Sequence, residues 1–191
     1  MSDHPSGDTK SCLTFDALVV AYEKKVFNVI YRYVGDYEEA ADLTQETFIS
    51  AYKAFNRFRG ESQVYTWLYQ IAINHCRNRL RQRSRIRTLK VESLDQPRDH
   101  VAGEHPSRDI PDLSQAPHRV LEDKELRERI MAAIQSLPPE YREVVILREL
   151  EGLSYNEIVE TTRLSLDNVK TRLSRARAML RRKLDHYYRG F

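Results

Sequence analysis

Cysteine is nearly absent from this chain, whose 191 residues include only Cys12 and Cys76. The two do not have CxxC spacing and no histidine pair stands at zinc-finger distance from them, so neither a disulfide framework nor a structural zinc site is predicted. We interpret both as ordinary thiols, and we expect neither a metal nor a cofactor.

Long apolar runs are missing as well. No stretch of about 18 apolar residues occurs, and the N-terminal segment MSDHPSGDTKSC lacks the basic-then-apolar pattern of a secretory signal. Hydrophobic residues make up 41% of the chain and charged residues 31%, which is typical of packed cores with much exposed surface. We therefore expect a soluble, cytoplasmic protein.

The groupings that an enzyme acting on nucleic acid needs do not occur. The sequence has no paired carboxylates in an apolar setting, no metal-ligand cluster and no glycine loop able to cradle phosphate. Its histidines are scattered: His4, His75, His100, His105, His118 and His186. We do not expect an enzyme.

Positive charge is clustered although the net charge is only +3. Every second residue from Arg77 to Arg87 is arginine, and residues 163–183 hold eight Lys or Arg against one acid, Asp167. Each cluster could face nucleic-acid phosphates, but a basic run is more often a solvated surface. Charge alone leaves both interpretations open.

Apolar periodicity predicts three helices in the N-terminal part. The first ends at Gly35, and the second follows Asp36, which can serve as an N-cap, and stops at the break at 59–60. The third starts near 62–63 and continues into the arginine-rich stretch. The apolar stripe of the second helix is Ala41, Thr44, Phe48, Ala51, Tyr52 and Phe55.

Residues 88–119 interrupt the helical pattern. Four of the seven prolines lie there, at positions 97, 106, 111 and 117. We predict a flexible linker, mostly disordered in the free protein, although its excess of acids could also lie against basic surface. With no strand pattern anywhere, the predicted fold is all-α: a flexible N-terminus at 1–12 and two small helical domains at 13–87 and 120–189.

Helical periodicity resumes at Val120, and Pro139 suits the first turn of a helix that Gly152 closes. Ser154 and Glu157 have the capping-box spacing, and after a turn at 161–164 Ser165 can cap a long final helix.

The last two helices have the pattern of a helix-turn-helix. Their inward residues are predicted to be Ile158, Val159, Leu164, Val169, Leu173, Ala176 and Leu180. The outward residues, from which major-groove contacts must come, are Asp167, Asn168, Lys170, Thr171, Ser174, Arg175 and Arg177. Two amphipathic helices with a short turn are also a common packing unit. Arg163 stands near a place where such turns often hold glycine, so the turn departs from the common helix-turn-helix pattern.

The N-terminal part combines aromatics, amides and cations that could stack unpaired bases and hold their backbone. These are Arg57, Phe58, Arg59, Tyr65, Trp67, Tyr69, Asn74, Arg77 and Asn78. Asn74 and Asn78 share a helix face, whereas Trp67 and Phe58 could equally be core residues. On the second helix, Asp42, Gln45 and Glu46 form a polar, mainly acidic face that is either solvated or docks a basic partner.

Four ordered blocks resemble the extracytoplasmic-function (ECF) sigma factors of bacterial RNA polymerase. They are DLTQETFISAYKAFNRFRG (42–60), YTWLYQIAINHCRNRLR (65–81), LPPEYREVVILRELEGLSYNEIV (137–159) and NVKTRLSRARAML (168–180). The resemblance implies an alternative sigma factor with a sigma2-like and a sigma4-like domain, which directs promoter-specific transcription.

The resemblance also assigns residues to three surfaces. The residues implied to bind polymerase core are Asp42, Gln45, Glu46, Ile49 and Lys53. Those implied to bind the opened minus-ten element are Arg59, Ser62, Gln63, Tyr65, Trp67, Asn74, Arg77 and Asn78. Those implied to read the minus-thirty-five duplex are Asn168, Lys170, Thr171, Ser174, Arg175 and Arg177. Lys170 and Ser174 depart from the arginine and the larger side chain expected there, so the preferred upstream sequence could differ.

The implied partners are the β′ coiled coil and the β flap of RNA polymerase core, together with promoter DNA as duplex and as melted strand. By the same analogy we expect a membrane-anchored anti-sigma factor that holds the protein inactive until a stress signal. The rival interpretation is an ordinary repressor or activator that binds duplex, usually as a dimer. That alternative assigns no function to the acidic face or to the Trp67 region.

Overall fold

The structure is a computed structural model that describes residues 14–58, 60, 62–91 and 117–188, with side-chain surroundings for all of these except 87–91, 117–124 and 186–188. Seven helices occur in these segments: α1 (Phe15–Val34), α2 (Tyr37–Phe55), α3 (Val64–Val91), α4 (Pro117–Gln135), α5 (Pro139–Val145), α6 (Tyr155–Thr162) and α7 (Leu166–Tyr188). A π-helical segment, Ile146–Leu150, continues α5. The described segments contain no strand, which confirms the all-α prediction.

Helices α1 to α3 form an N-terminal three-helix unit. Thr14 caps α1 by accepting a hydrogen bond from the Ala17 amide, and Asp36 caps α2 by accepting one from the Glu39 amide at 2.8 Å. Gly35 joins the two helices with φ +83°, a left-handed conformation that costs glycine little. The fully buried side chains of this unit include Leu18, Val26, Ile30, Leu43, Leu68 and Ile73.

The C-terminal unit contains α4 to α7. Pro139 occupies the first turn of α5, and Ser154 with Glu157 forms a complete capping box at the start of α6. Helix α7 begins after Ser165, whose hydroxyl accepts from the Asn168 amide at 3.3 Å. Val144, Leu147, Ile158, Val169, Leu173 and Ala176 are buried between these helices.

The two units pack against each other rather than lying apart. Helix α3 lies along α6, and α1 contacts α4, α5 and the π-helical segment. Helix α7 packs mainly on α5, α6 and α4. The final helix therefore keeps its outer face open while the two units share a core.

Helix boundaries differ from the sequence predictions at three places. Helix α3 starts at Val64 and runs to Val91, and α4 starts at Pro117, so both extend into the stretch predicted as linker. Proline suits the first turn of a helix because its missing amide would have no partner there. The rest of the linker, with Cys12 and Arg59, lies outside the described residues. Among the described residues, none of the helices combines the length and the hydropathy of a membrane span.

Candidate nucleic-acid interface

The outer face of α7 presents a row of polar and cationic side chains. All six residues assigned to duplex reading are exposed: Asn168, Lys170, Thr171, Ser174, Arg175 and Arg177. They are held outward because Val169, Leu173 and Ala176 are buried on the opposite side of the helix. The geometry provides a cationic helix surface of the kind that enters a major groove.

The turn between α6 and α7 depends on the backbone conformation of Arg163. This residue has φ +59° and is the one non-glycine residue with positive φ among those described. Its amide donates to the Val159 carbonyl at 2.8 Å and so closes α6. The turn is thus a tight left-handed one, formed by arginine where glycine would be less strained.

Arg177 is engaged inside the C-terminal unit. Its guanidinium donates to the Glu149 carboxylate from Nε at 3.0 Å and from Nη2 at 2.6 Å, and this hydrogen bonding raises the pKa of Arg177 above its ordinary value. Both side chains are largely exposed, so the pair can exchange its partners for water or phosphate at small cost.

The residues assigned to the melted strand divide into two groups. Asn74, Asn78 and Gln63 are exposed, whereas Ser62, Tyr65, Trp67 and Arg77 are partly buried. Trp67 packs on Phe58 with ring centroids 4.8 Å apart. The tryptophan is therefore partly packed and partly accessible, between the two interpretations that the sequence left open.

Tyr65 and Arg77 face the C-terminal unit. The Tyr65 hydroxyl donates to the Glu157 carboxylate, and Arg77 donates to Glu143 from Nε at 2.9 Å and from Nη2 at 2.8 Å. Burial, followed by the bond to Glu157, raises the pKa of Tyr65 to about 12. The bond to Glu143 raises the pKa of Arg77, so both groups remain protonated donors at neutral pH.

Other arginines of the 77–87 stretch are paired within the N-terminal unit. Arg83 lies 2.9 Å from the buried Glu39 carboxylate, and Arg79 lies 2.9 Å from Glu46. Burial raises the pKa of Glu39, and the two arginines act in the opposite direction. Part of this basic run thus fastens α3 to α2, which sequence periodicity could not distinguish from a phosphate-binding surface.

The polar face of α2 is open to solvent. Its five assigned residues are all exposed: Asp42, Gln45, Glu46, Ile49 and Lys53. Ile49 is 55% exposed, so this polar face also carries an apolar side chain. Glu46 also lies 3.4 Å from the His75 ring, and the same ring is hydrogen-bonded to Ser50 at 2.9 Å.

Comparison with known proteins decides the family. Residues 18–86 match the model of Sigma-70 region 2 and residues 127–180 that of Sigma-70 region 4. The RNA polymerase sigma-H factor of Pseudomonas aeruginosa is 38% identical over 170 residues, covering 89% of this chain and 86% of the relative. The ECF RNA polymerase sigma-E factor of Escherichia coli K12 is 36% identical over 179 residues, covering 93% and 88%.

The chain belongs to the ECF sigma factor family. Its members are transcription initiation factors and not enzymes. The N-terminal unit coincides with the match to region 2, and the C-terminal unit coincides with the match to region 4.

Solved structures agree on the fold. The sigma factor RpoE in complex with the anti-sigma factor NepR from Bartonella quintana has a TM-score of 0.68 at 22% identity, covering 90% of this chain and 96% of that chain. CnrH in complex with the cytosolic domain of CnrY has a TM-score of 0.59 at 22% identity, covering 90% and 88%.

One exposed residue of the sigma factor was misassigned by its periodicity. Tyr52 was placed in the apolar stripe of α2 but is 67% exposed, and its ring contacts Phe15 edge-on at 5.1 Å. Tyr52 follows Ile49 by three residues and so lies near it on the helix surface. The open face of α2 is therefore more apolar than the sequence suggested. Its position at the edge of the apolar stripe is the feature of the sequence that could have indicated exposure.

Proposed function

We propose that this sigma factor binds RNA polymerase core through the exposed face of α2 and directs initiation at promoters that it reads with α3 and α7. The observation that carries the proposal is the separation of surfaces. The acidic face of α2, the amide face of α3 and the cationic face of α7 lie on different helices, and each is at least partly accessible. A protein that only repressed transcription would need α7 alone.

The division of roles follows from chemistry. On α2, the exposed carboxylates of Asp42 and of Glu46, the latter shared with Arg79, lie on one face with the apolar Ile49, a combination suited to a basic helical partner such as the β′ coiled coil. On α3, Asn74 and Asn78 present amides, which can pair with the edges of unstacked bases. On α7, Lys170 and Arg175 are suited to phosphates and guanine acceptors.

We also propose that an anti-sigma factor controls the protein in the cytoplasm until a stress signal releases it. The support is that both similar structures contain a bound partner, an anti-sigma factor in one and the cytosolic domain of CnrY in the other. The β flap as a second polymerase contact and a membrane anchor on the anti-sigma factor are part of the same proposal.

Charge reversal on α2 tests the polymerase contact. We expect Asp42→Lys to weaken binding of the full chain to RNA polymerase core by about tenfold. In the proposed complex the Asp42 carboxylate faces a basic partner, and lysine would place a like charge there. Binding would be measured by fluorescence anisotropy of labelled sigma factor titrated with core. Because Asp42 is exposed, folding should be unaffected.

The matched control is Glu23→Lys, which makes the same charge change at an exposed position of α1. This variant should bind core like the wild type. Equal losses in both variants would show that only net charge matters, and an unchanged Asp42→Lys variant would remove α2 from the proposed interface.

A further inference from the structure

A histidine of α3 lies against the polar face of α2. The Nε2 atom of His75 is 2.9 Å from Ser50 Oγ, and its Nδ1 atom is 3.4 Å from Glu46 Oε2. Ser50 follows Glu46 by four residues, so the two stand one turn apart on the same side of α2. The ring of His75 therefore bridges two turns of the helix that we assign to polymerase core.

The Ser50 hydroxyl can serve both charge states of the ring. When the ring is neutral and carries its proton on Nδ1, the hydroxyl donates to Nε2, and the Nδ1–H faces the Glu46 carboxylate. When the ring is protonated, Nε2–H donates and the hydroxyl accepts. Because a hydroxyl rotates to suit either role, His75 can gain a proton without losing this partner.

Solvent reaches the ring without any rearrangement. The side chain of His75 is 26% exposed and that of Glu46 is 46% exposed. Histidine is the side chain whose charge ordinarily changes between about pH 5 and 8. The ring can therefore exchange protons with water while α2 and α3 stay packed.

The charges around the ring come from α2 and from α3 itself. The Glu46 carboxylate also accepts from Arg79 of α3 at 2.9 Å. Arg79 lies 3.6 Å from the buried Glu39, whose other partner is Arg83 at 2.9 Å. Helices α1 and α6 also pack on α3, but within the described part of the chain they contribute no ion pair to the ring. Glu46 is thus the acid that responds most directly to the charge of the ring.

Protonation of the ring changes the balance of charge on this face of α2. Asp42 lies one turn before Glu46, and Lys53 lies two turns after it. With a neutral ring, the carboxylates of Asp42 and Glu46 balance the charges of Arg79 and Lys53. A proton on the ring leaves one positive charge in excess, beside Glu46. A basic partner then meets a like charge where it would otherwise meet a carboxylate.

We propose that His75 sets the affinity of α2 for polymerase core. The neutral ring leaves the Glu46 carboxylate available to a basic partner, and the protonated ring neutralises it. The inference rests on the proposed contact between α2 and core. Core binding is then strongest where the ring is neutral, and it weakens as the pH falls and the ring gains its proton.

Competition between two sigma factors for the same core measures the effect of the ring. Fluorescently labelled wild-type chain is bound to core and displaced by unlabelled wild type or variant, at about pH 6 and at about pH 8, the range in which histidine changes its charge. The ratio of the variant affinity to the wild-type affinity removes any titration of core itself.

His75→Gln removes the titration and keeps a neutral side chain that can bond to Ser50 and donate to Glu46. We expect this variant to compete like the wild type at about pH 8 and to bind core about threefold more tightly than the wild type at about pH 6. The factor follows from charge. Asp42→Lys changes the charge by two and is expected to weaken binding about tenfold, so a change of one corresponds to about threefold.

His75→Lys places a fixed positive charge at the same position. We expect it to bind core about threefold more weakly than the wild type at about pH 8 and like the wild type at about pH 6, where the histidine is itself charged. Far-ultraviolet circular dichroism at each pH verifies the helices. If one of the two variants loses helicity, the other decides.

The control variant keeps His75 and replaces the other histidines of the chain by glutamine. It should compete like the wild type at each pH. The replaced residues are His4, His100, His105, His118 and His186.

The proposal is overturned if the affinity ratio of His75→Gln to the wild type is the same at each pH, because a purely structural effect would not follow the charge of the ring. A control variant that reproduces the gain at low pH, or a His75→Lys variant that binds core like the wild type at high pH, also contradicts it. Asp42→Lys separates the two proposals. If Asp42→Lys binds core normally, the contact of α2 with core is wrong; if it binds weakly while His75→Gln shows no gain at low pH, only the role of His75 is wrong.

Discussion

Arg163 is the residue at which the helix-turn-helix stores strain. Its φ of +59° places an arginine in the left-handed region, which costs a side chain with a Cβ about 1–2 kcal/mol. The side chain itself is exposed, and its amide bond to Val159 does not depend on residue type. The turn is thus built by the backbone and tolerates arginine at a cost.

Replacement of this residue by glycine should stabilise the protein. We expect Arg163→Gly to raise the free energy of unfolding by about 0.5–1 kcal/mol, because relief of strain exceeds the extra freedom of glycine in the unfolded chain. Urea unfolding followed by circular dichroism measures it. Arg163→Ala keeps a Cβ and should give no gain, and equal gains in both variants would exclude strain as the cause.

The low reactivity of the Cys76 thiol follows from its burial. The sequence predicts an ordinary thiol, and the structure shows Cys76 free and fully buried in the N-terminal core. Burial raises the pKa of the Cys76 thiol to about 12, so the reactive thiolate is scarce at neutral pH. Composition could suggest an unreactive thiol, but only packing explains it.

Helices were predictable because their signals are local. Asp36, Ser154 and Ser165 act as the caps that their spacing indicated, and Gly35 ends α1 as expected. The π-helical segment after α5 was not predictable. Its hydrogen bonds, such as that from the Glu151 amide to the Ile146 carbonyl at 3.0 Å, span five residues, a rare pattern that apolar periodicity does not mark.

Helix α7 should carry most of the affinity for duplex DNA. We expect the double variant Lys170→Ala, Arg175→Ala to weaken binding to a random-sequence duplex and to reduce the slope of log affinity against log salt by about 2, since each lost phosphate contact lowers the slope by about 0.9. Anisotropy titrations across a salt series measure both quantities.

The double variant Lys24→Ala, Lys25→Ala is the control, because it removes the same charge from exposed positions of α1. Its salt slope should equal that of the wild type. A reduced slope in the control alone would move the duplex surface away from α7.

The packing of the two units on each other is the feature of the whole molecule that sequence could not reveal. The bonds between them link residues far apart in the chain, such as Arg77 with Glu143 and Arg32 with Glu151, and no local pattern marks such pairs. Apolar periodicity and the four family blocks predicted both units and the outer face of α7. They could not predict that Tyr65 and Arg77 would face carboxylates rather than solvent.

Separate surfaces also explain how one small protein can serve in several steps. The residues that we assign to polymerase on α2 and to duplex on α7 are exposed, whereas Tyr65 and Arg77, which we assign to melted strand, donate to carboxylates of the C-terminal unit.

Transcription in vitro shows whether this sigma factor gives RNA polymerase core promoters of its own. Total genomic DNA is transcribed by RNA polymerase core of the same bacterium, with and without the sigma factor, and the 5′ ends of the RNA are sequenced. We expect a new set of start sites, each preceded by shared minus-ten and minus-thirty-five sequences, that appears only with the sigma factor and is strongly reduced with Asp42→Lys. Identical start sites with and without a folded sigma factor bound to core would contradict it.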